Sequence, residues 1–123
     1  MIYLKNKTFL HSVQCALNGL FAAIKSEKNF IIYFLHILVT LPINILLGFS
    51  YIEFLIYAIT ICGVFAAECI NTAFEKVCDF LTEEYNEKIK IIKDIAAGTV
   101  CCWGIAFYLA EVVMIVIHVI KYI

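Results

Sequence analysis

The sequence predicts an all-α membrane protein, in which one N-terminal amphipathic surface helix precedes three transmembrane helices. Three observations indicate this class: 64% of the 123 residues are hydrophobic, only 15% are charged, and the mean hydropathy is +0.98. A water-soluble domain of this length has too little interior to bury so much apolar surface. The net charge of −1 offers no electrostatic footprint for nucleic acid. Disorder, nucleic-acid binding and an ordinary soluble enzyme are therefore excluded, and residues 1–123 are expected to form one domain.

The surface helix is predicted over residues 8–27. Apolar side chains recur there at spacings of three and four residues, the period of an α-helix, and polar side chains take the opposite side. Lysines flank the segment at both ends. A moderately hydrophobic segment with lysines at both ends favours a helix that lies in the plane of the membrane interface. Packing against other protein helices is an alternative that does not exclude this location.

Three segments are long and apolar enough to cross a bilayer. Residues 30–49 carry no formal charge and would form a helix of about 30 Å, and neighbouring helices can accommodate Pro42. Residues 52–80 are uncharged from Phe54 up to Glu68 and become polar afterwards, so this helix is expected to extend into the cytoplasm. Residues 95–120 form the third span, after a polar linker.

Lysine positions predict the orientation, because the chain has no arginine. Four lysines lie in the N-terminal region and four lie between the second and third spans. The turn near residue 50 has none, and the C-terminal tail has one. Since positive residues concentrate on the cytoplasmic side, the N-terminus is predicted in the cytoplasm and the C-terminus outside.

The second span carries the most informative polar pattern. Glu68, Asn71, Glu75 and Asp79 fall within an arc of about 80° at the helical period of about 100° per residue. Aligned carboxylates repel one another unless a cation lies among them, and Mg²⁺ prefers such oxygen ligands. A solvated acidic helix end would explain Asp79 alone. It explains Glu68 poorly, because ionisable groups at the edge of an apolar span are usually functional.

Other polar residues are less specific when taken alone. Lys93 and Asp94 precede the third span, where a lysine is more often a topology signal than a phosphate ligand. Glu27 reads as an ordinary interfacial charge before the first span. Small residues such as Gly63 and Gly98 would allow close helix packing.

Three further polar residues lie within the spans. Glu111 is expected near the outer interface, where its side chain could reach water at little cost. His36 and His118 read as interface or helix-packing residues, because neither has a carboxylate partner that is visible in the sequence.

The polar motifs resemble those of the bacterial integral-membrane diacylglycerol kinase family, which includes undecaprenol kinases. The matching stretches are ECINTAFEKVCD at residues 68–79 and KDIAAGTV at residues 93–100, with a short acidic and aromatic linker between them. The sequence departs from the family pattern at Phe74, Cys78 and Asn86. The likeness covers essentially the whole chain and includes its length and its predicted helices.

This resemblance implies an ATP-dependent lipid kinase in the bacterial cytoplasmic membrane, working as a homotrimer with active sites shared between subunits. By motif matching, Glu68 resembles the catalytic base that accepts the proton of the lipid hydroxyl. Glu27 and Glu75 resemble the carboxylates that bind Mg²⁺. Four residues match positions that hold the nucleotide or shape the site: Asn71, Asp79, Lys93 and Asp94. These roles agree with phosphoryl transfer, which needs charge neutralisation, positioning and a base.

The lipid substrate is predicted from the surface helix. The run SVQCALNGLFAAIKSEKN resembles the undecaprenol kinase branch more than the diacylglycerol-specific branch, so undecaprenol is the favoured substrate. Diacylglycerol, which would give phosphatidate, is the alternative. A small proton-coupled transporter is a remote alternative, since transporters place such carboxylates near the midplane of the membrane, and Glu68 is predicted near the cytoplasmic edge.

Overall fold

A computed structural model describes residues 8–122 of the chain. It contains four α-helices in this order: α1 (Phe9–Ser26), α2 (Asn29–Leu46), α3 (Tyr51–Leu81) and α4 (Glu87–Tyr122). The last three are long and apolar enough to span a membrane. The predicted all-helical class with three candidate spans is therefore confirmed.

The ends of the helices follow from local hydrogen bonding. Thr8 caps α1 by accepting a bond from the backbone N–H of His11 at 3.3 Å. Ser50 and Glu53 form a reciprocal capping box at the start of α3. Gly48, which has a φ of 75°, lies in the turn between α2 and α3, in a backbone region that favours glycine.

Helix α4 begins earlier than the sequence predicted. Residues 81–94 were expected to form a polar linker, but the helix already starts at Glu87. The reason is Asn86, whose side-chain oxygen accepts hydrogen bonds from the N–H groups of Lys88 (3.0 Å) and Ile89 (3.3 Å). These bonds satisfy donors that are free at a helix start, so the polar residues after Asn86 continue the helix.

The closest helix packing is between α3 and α4, and α1 lies against α3. A core of apolar side chains joins the loop before α3 to α3 and α4, and it consists of Phe49, Tyr57, Val64, Phe107 and Met114. Gly63 of α3 allows the ring of Trp103 to lie directly on its backbone. The predicted close approach at Gly63 is confirmed. Gly98 faces open space within residues 8–122 of the single chain, so the same prediction is not tested there.

Gly63→Ala is expected to displace Trp103, because the added Cβ would clash with Cε3 of that ring. Trp103 is the only tryptophan in the chain, so its fluorescence reports the change directly. We expect a shifted emission maximum and a loss of about 1–3 kcal/mol of stability from overpacking. Gly98→Ala adds the same methyl group in open space and should leave the emission unchanged. Unchanged emission in both variants would contradict the close packing.

Candidate active site

Glu68 is almost completely enclosed, with 1% of its surface exposed. It lies on the face of α3 that meets the beginning of α2. The side-chain amide of Asn29 donates a hydrogen bond to Oε1 of Glu68 at 2.9 Å, and the hydroxyl of Tyr33 donates to the same oxygen at 3.2 Å. A buried carboxylate needs such donors, because it has lost its hydrogen bonds to water.

Asn71 and Glu75 form the next part of the polar face of α3. The amide of Asn71 donates to Oε1 of Glu75 at 2.9 Å. Asn71 is buried, and its Oδ1 atom has no hydrogen-bond partner among the described residues. Buried amide oxygens are rarely left unpaired in native proteins. This oxygen and the Glu75 carboxylate are therefore available for a ligand that brings a cation or a donor.

Asp79 and Lys93 connect the far end of α3 to α4. Nζ of Lys93 donates to Oδ1 of Asp79 at 2.6 Å. This hydrogen bond raises the pKa of Lys93, which precedes the apolar part of α4. Asp94 is exposed and makes no hydrogen bond or ion pair with any residue between 8 and 122. The structure thus joins two of the four residues that were predicted to hold the nucleotide.

Glu27 lies at the junction between α1 and α2, where its extended backbone ends α1. Its side chain is half-buried and stands two residues before Asn29, which contacts Glu68. No three His, Cys, Asp or Glu side chains of the described chain cluster closely enough to hold a metal ion. The joint role of Glu27 and Glu75 in metal binding therefore stays a prediction.

Sequence reasoning missed Asn29 and Tyr33. Both belong to a row of polar residues along one side of α2, hereafter the α2 polar stripe: Asn29, Tyr33, His36, Thr40 and Asn44. Their spacings of four, three, four and four residues are those of one helix face. That spacing within an apolar span was the available signal, although it does not identify the partners on the other helices.

Comparison with known proteins fits this arrangement of polar groups in an all-helical membrane protein. The family model described as prokaryotic diacylglycerol kinase matches residues 14–118. The chain belongs to this family. It is therefore a lipid kinase, as its motifs predicted, and all seven predicted site residues lie within the matched region. Membership gives no support to the transporter alternative.

Two curated relatives illustrate the range of the family. The kinase is 32% identical over 99 residues to the undecaprenol kinase of Bacillus subtilis, a match that covers 80% of this chain and 77% of that protein. It is 35% identical over 98 residues to the diacylglycerol kinase of Synechocystis, covering 79% of this chain and 56% of that longer relative. No solved structure gives a significant match.

The kinase also has a second set of polar residues inside the bundle, hereafter the distal polar cluster: the half-buried His36 and the buried Asn44 and Glu111. Nε2 of His36 lies 2.5 Å from Oε2 of Glu111, and the amide of Asn44 donates to Oε1 of Glu111 at 3.5 Å. The expectation that Glu111 reaches water was wrong, because only 3% of its surface is exposed. Burial is compensated by its partners on α2.

The structure gives each histidine of the candidate spans a nearby carboxylate that was not visible in the sequence. His36 pairs with Glu111, and Nε2 of His118 lies 3.5 Å from Oε1 of Glu53. The sequence separations are long, so neither pair follows from helix periodicity. Val64, Phe65 and Phe107 lie beside Tyr33. No hydrogen bond or ion pair joins the distal polar cluster to Glu68 within residues 8–122.

Proposed function

We propose that this lipid kinase is an undecaprenol kinase that transfers the γ-phosphate of ATP to the lipid hydroxyl, with Glu68 as the catalytic base. The observation that carries the proposal is the enclosed Glu68 carboxylate, held by two donors at the start of a polar face that continues along α3. The undecaprenol kinase of Bacillus subtilis supports the choice of lipid, because the match covers most of both chains.

The residues of the candidate site have different proposed tasks. Asn71, Asp79, Lys93 and Asp94 hold the nucleotide, and the Lys93–Asp79 pair joins α3 to α4 at that point. Glu27 and Glu75 would hold Mg²⁺. Two carboxylates completed by phosphate oxygens and water are a usual Mg²⁺ site, and the unpaired amide oxygen of Asn71 next to Glu75 suits the same ion. The ion supplies neutralisation of the phosphate charge.

In the proposed reaction, the lipid hydroxyl loses its proton and receives the phosphoryl group. The lipid oxygen forms a bond to the γ-phosphorus as the bond between that phosphorus and the bridging oxygen of ADP breaks. The hydroxyl proton passes to the carboxylate of Glu68. Because the site is enclosed, few water molecules reach the carboxylate of Glu68, and it can accept the proton of the bound hydroxyl instead.

An apolar groove beside Glu68 supports a lipid acceptor. It lies between α1 and α3 and has a volume of about 400 Å³. Gly19 and Ala23 of α1 form one side, and Cys69 and Thr72 of α3 form the other. Thr72, which lines the groove, donates a hydrogen bond from its hydroxyl to the backbone carbonyl of Glu68 at 2.8 Å, so the groove reaches the helical turn that carries the base.

Diacylglycerol is the second candidate substrate, favoured by the similarity to the diacylglycerol kinase of Synechocystis. The deciding experiment presents purified enzyme, Mg²⁺ and ATP with undecaprenol or diacylglycerol at equal surface concentration in mixed micelles. We expect the higher kcat/KM with undecaprenol. A higher value with diacylglycerol would reverse the assignment, and phosphorylation of neither lipid would overturn the proposed activity.

We also propose that the kinase works as a homotrimer, with its N-terminus and the polar face of α3 in the cytoplasm. In a single chain, only 11–22% of the most apolar stretch of each candidate span is buried. Helix surface is therefore left free to contact other copies of the chain. Cross-linking in mild detergent should therefore give a species of three chains. Monomers only, at protein concentrations that retain activity, would contradict the trimer.

A further inference from the structure

The two oxygens of the Glu68 carboxylate have different surroundings. Oε1 accepts both hydrogen bonds, from Asn29 and from Tyr33. Oε2 accepts none from residues 8–122. Within the described part of the chain it is therefore the oxygen that is left free to accept a further donor.

We propose that Asn29 and Tyr33 are positioning residues, which hold Oε1 of Glu68 so that Oε2 receives the proton of the lipid hydroxyl. This inference rests on the proposed role of Glu68 as the base. It adds two residues of α2 to the site and assigns a separate task to each carboxylate oxygen.

The geometry of the two donors explains how they orient the carboxylate. Asn29 and Tyr33 are one helical turn apart on α2 and converge on one oxygen from across the helix interface. Rotation of the carboxylate would break both bonds inside an enclosed site, where lost hydrogen bonds are expensive. The lone pairs of Oε2 are thus kept in one direction. A base transfers a proton efficiently only within about 2.6–3.2 Å of the group that carries it.

Tyr33 is suited to this task by its position as well as its hydroxyl. Its ring lies against Phe65 of α3, with centroids 6.1 Å apart, so the side chain is fixed before it donates. Asn29 begins α2 and is exposed, so its amide is held mainly by the bond to Glu68. Loss of the Tyr33 hydroxyl should therefore leave the helix packing intact and free the carboxylate to rotate.

The test is a double-mutant cycle between Tyr33→Phe and Glu68→Gln, with kcat and KM measured for both substrates. In the wild-type background, Tyr33→Phe should lower kcat about ten- to a hundredfold and change KM for ATP by less than about twofold. In the Glu68→Gln background, where no carboxylate remains to be oriented, Tyr33→Phe should have no further effect. A purely structural tyrosine would lower kcat equally in both backgrounds, which would overturn the inference.

Tyr57→Phe is the matched control. It removes the hydroxyl of a second tyrosine in the same bundle, which is buried, lies 2.6 Å from the hydroxyl of Thr40 and makes no hydrogen bond to Glu68. Its kcat should stay within about twofold of wild type. If Tyr33→Phe fails to fold, Asn29→Ala provides a second test at an exposed position. It should lower kcat by the same amount in the enzyme that retains Glu68, and it should have no further effect in Glu68→Gln.

The outcomes separate this inference from the proposed function. If Glu68→Gln is slow and Tyr33→Phe is as fast as wild type, the positioning role is wrong and the base stands. If Glu68→Gln itself is as fast as wild type, the role of the base is wrong, and the positioning role falls with it.

Discussion

Glu68→Gln should lower the rate of lipid phosphorylation by about 10²–10⁴-fold, the usual cost of removing a positioned general base. The glutamine keeps the size of the side chain and can still accept the bonds from Asn29 and Tyr33, but it cannot take the proton. Affinity for MgATP, measured by equilibrium binding, should stay close to wild type. Yield in the membrane should not fall, because a neutral side chain inserts more easily.

Glu111→Gln is the control for Glu68→Gln, because it neutralises another buried carboxylate of the same bundle. Its partners belong to the distal polar cluster, so the change should affect thermal stability more than turnover. A near wild-type rate for Glu68→Gln would place the base elsewhere. Loss of nucleotide binding in Glu68→Gln would instead make Glu68 a metal ligand.

Glu75→Gln should raise the Mg²⁺ concentration that gives half-maximal rate by about tenfold or more, and it should slow turnover at the same time. The reason is that the amide retains the bond from Asn71 but contributes no negative charge to the ion. The measurement is a Mg²⁺ titration of the initial rate at fixed ATP, combined with nucleotide binding with and without the metal.

Glu87→Gln is the comparison for Glu75→Gln, since it removes a carboxylate that is exposed in the first turn of α4. It should leave the Mg²⁺ dependence unchanged. If Glu75→Gln behaves in the same way as Glu87→Gln, then Glu75 is only a solvated acidic residue of the helix end.

Much of the fold could be predicted from the sequence, because periodicity and span length act within one helix. Glu68, Asn71, Glu75 and Asp79 do share the polar side of α3 that their spacing indicated, and Glu68 is buried there. The start of α4 was misplaced, since the capping strength of a single asparagine outweighed the polarity of the residues that follow it.

The partners of the buried groups could not be predicted, because they lie on different helices. Asn29 and Glu68 are 39 positions apart, and His36 and Glu111 are 75 positions apart. Which polar side chains face each other depends on how the helices rotate and slide on packing, and one chain's sequence pattern leaves both free. The hydrogen bond of Tyr33 to Glu68 therefore becomes apparent only in the folded structure.

The α2 polar stripe sets how α2 is aligned with the rest of the bundle. Within residues 8–122, α2 has no backbone packing as close as that between α3 and α4, although its Phe30 lies against Phe65. Hydrocarbon tails contact apolar side chains as favourably as other helices do, so apolar residues alone give α2 little preference for one alignment. If α2 shifted by one residue, the stripe would turn by about 100°. All of its hydrogen bonds to α3 and α4 would then break at once. The exposed apolar residues of α2 can therefore be exchanged for other apolar residues without loss of this alignment. Substitution of the five polar residues would remove the hydrogen bonds that fix the helix in place.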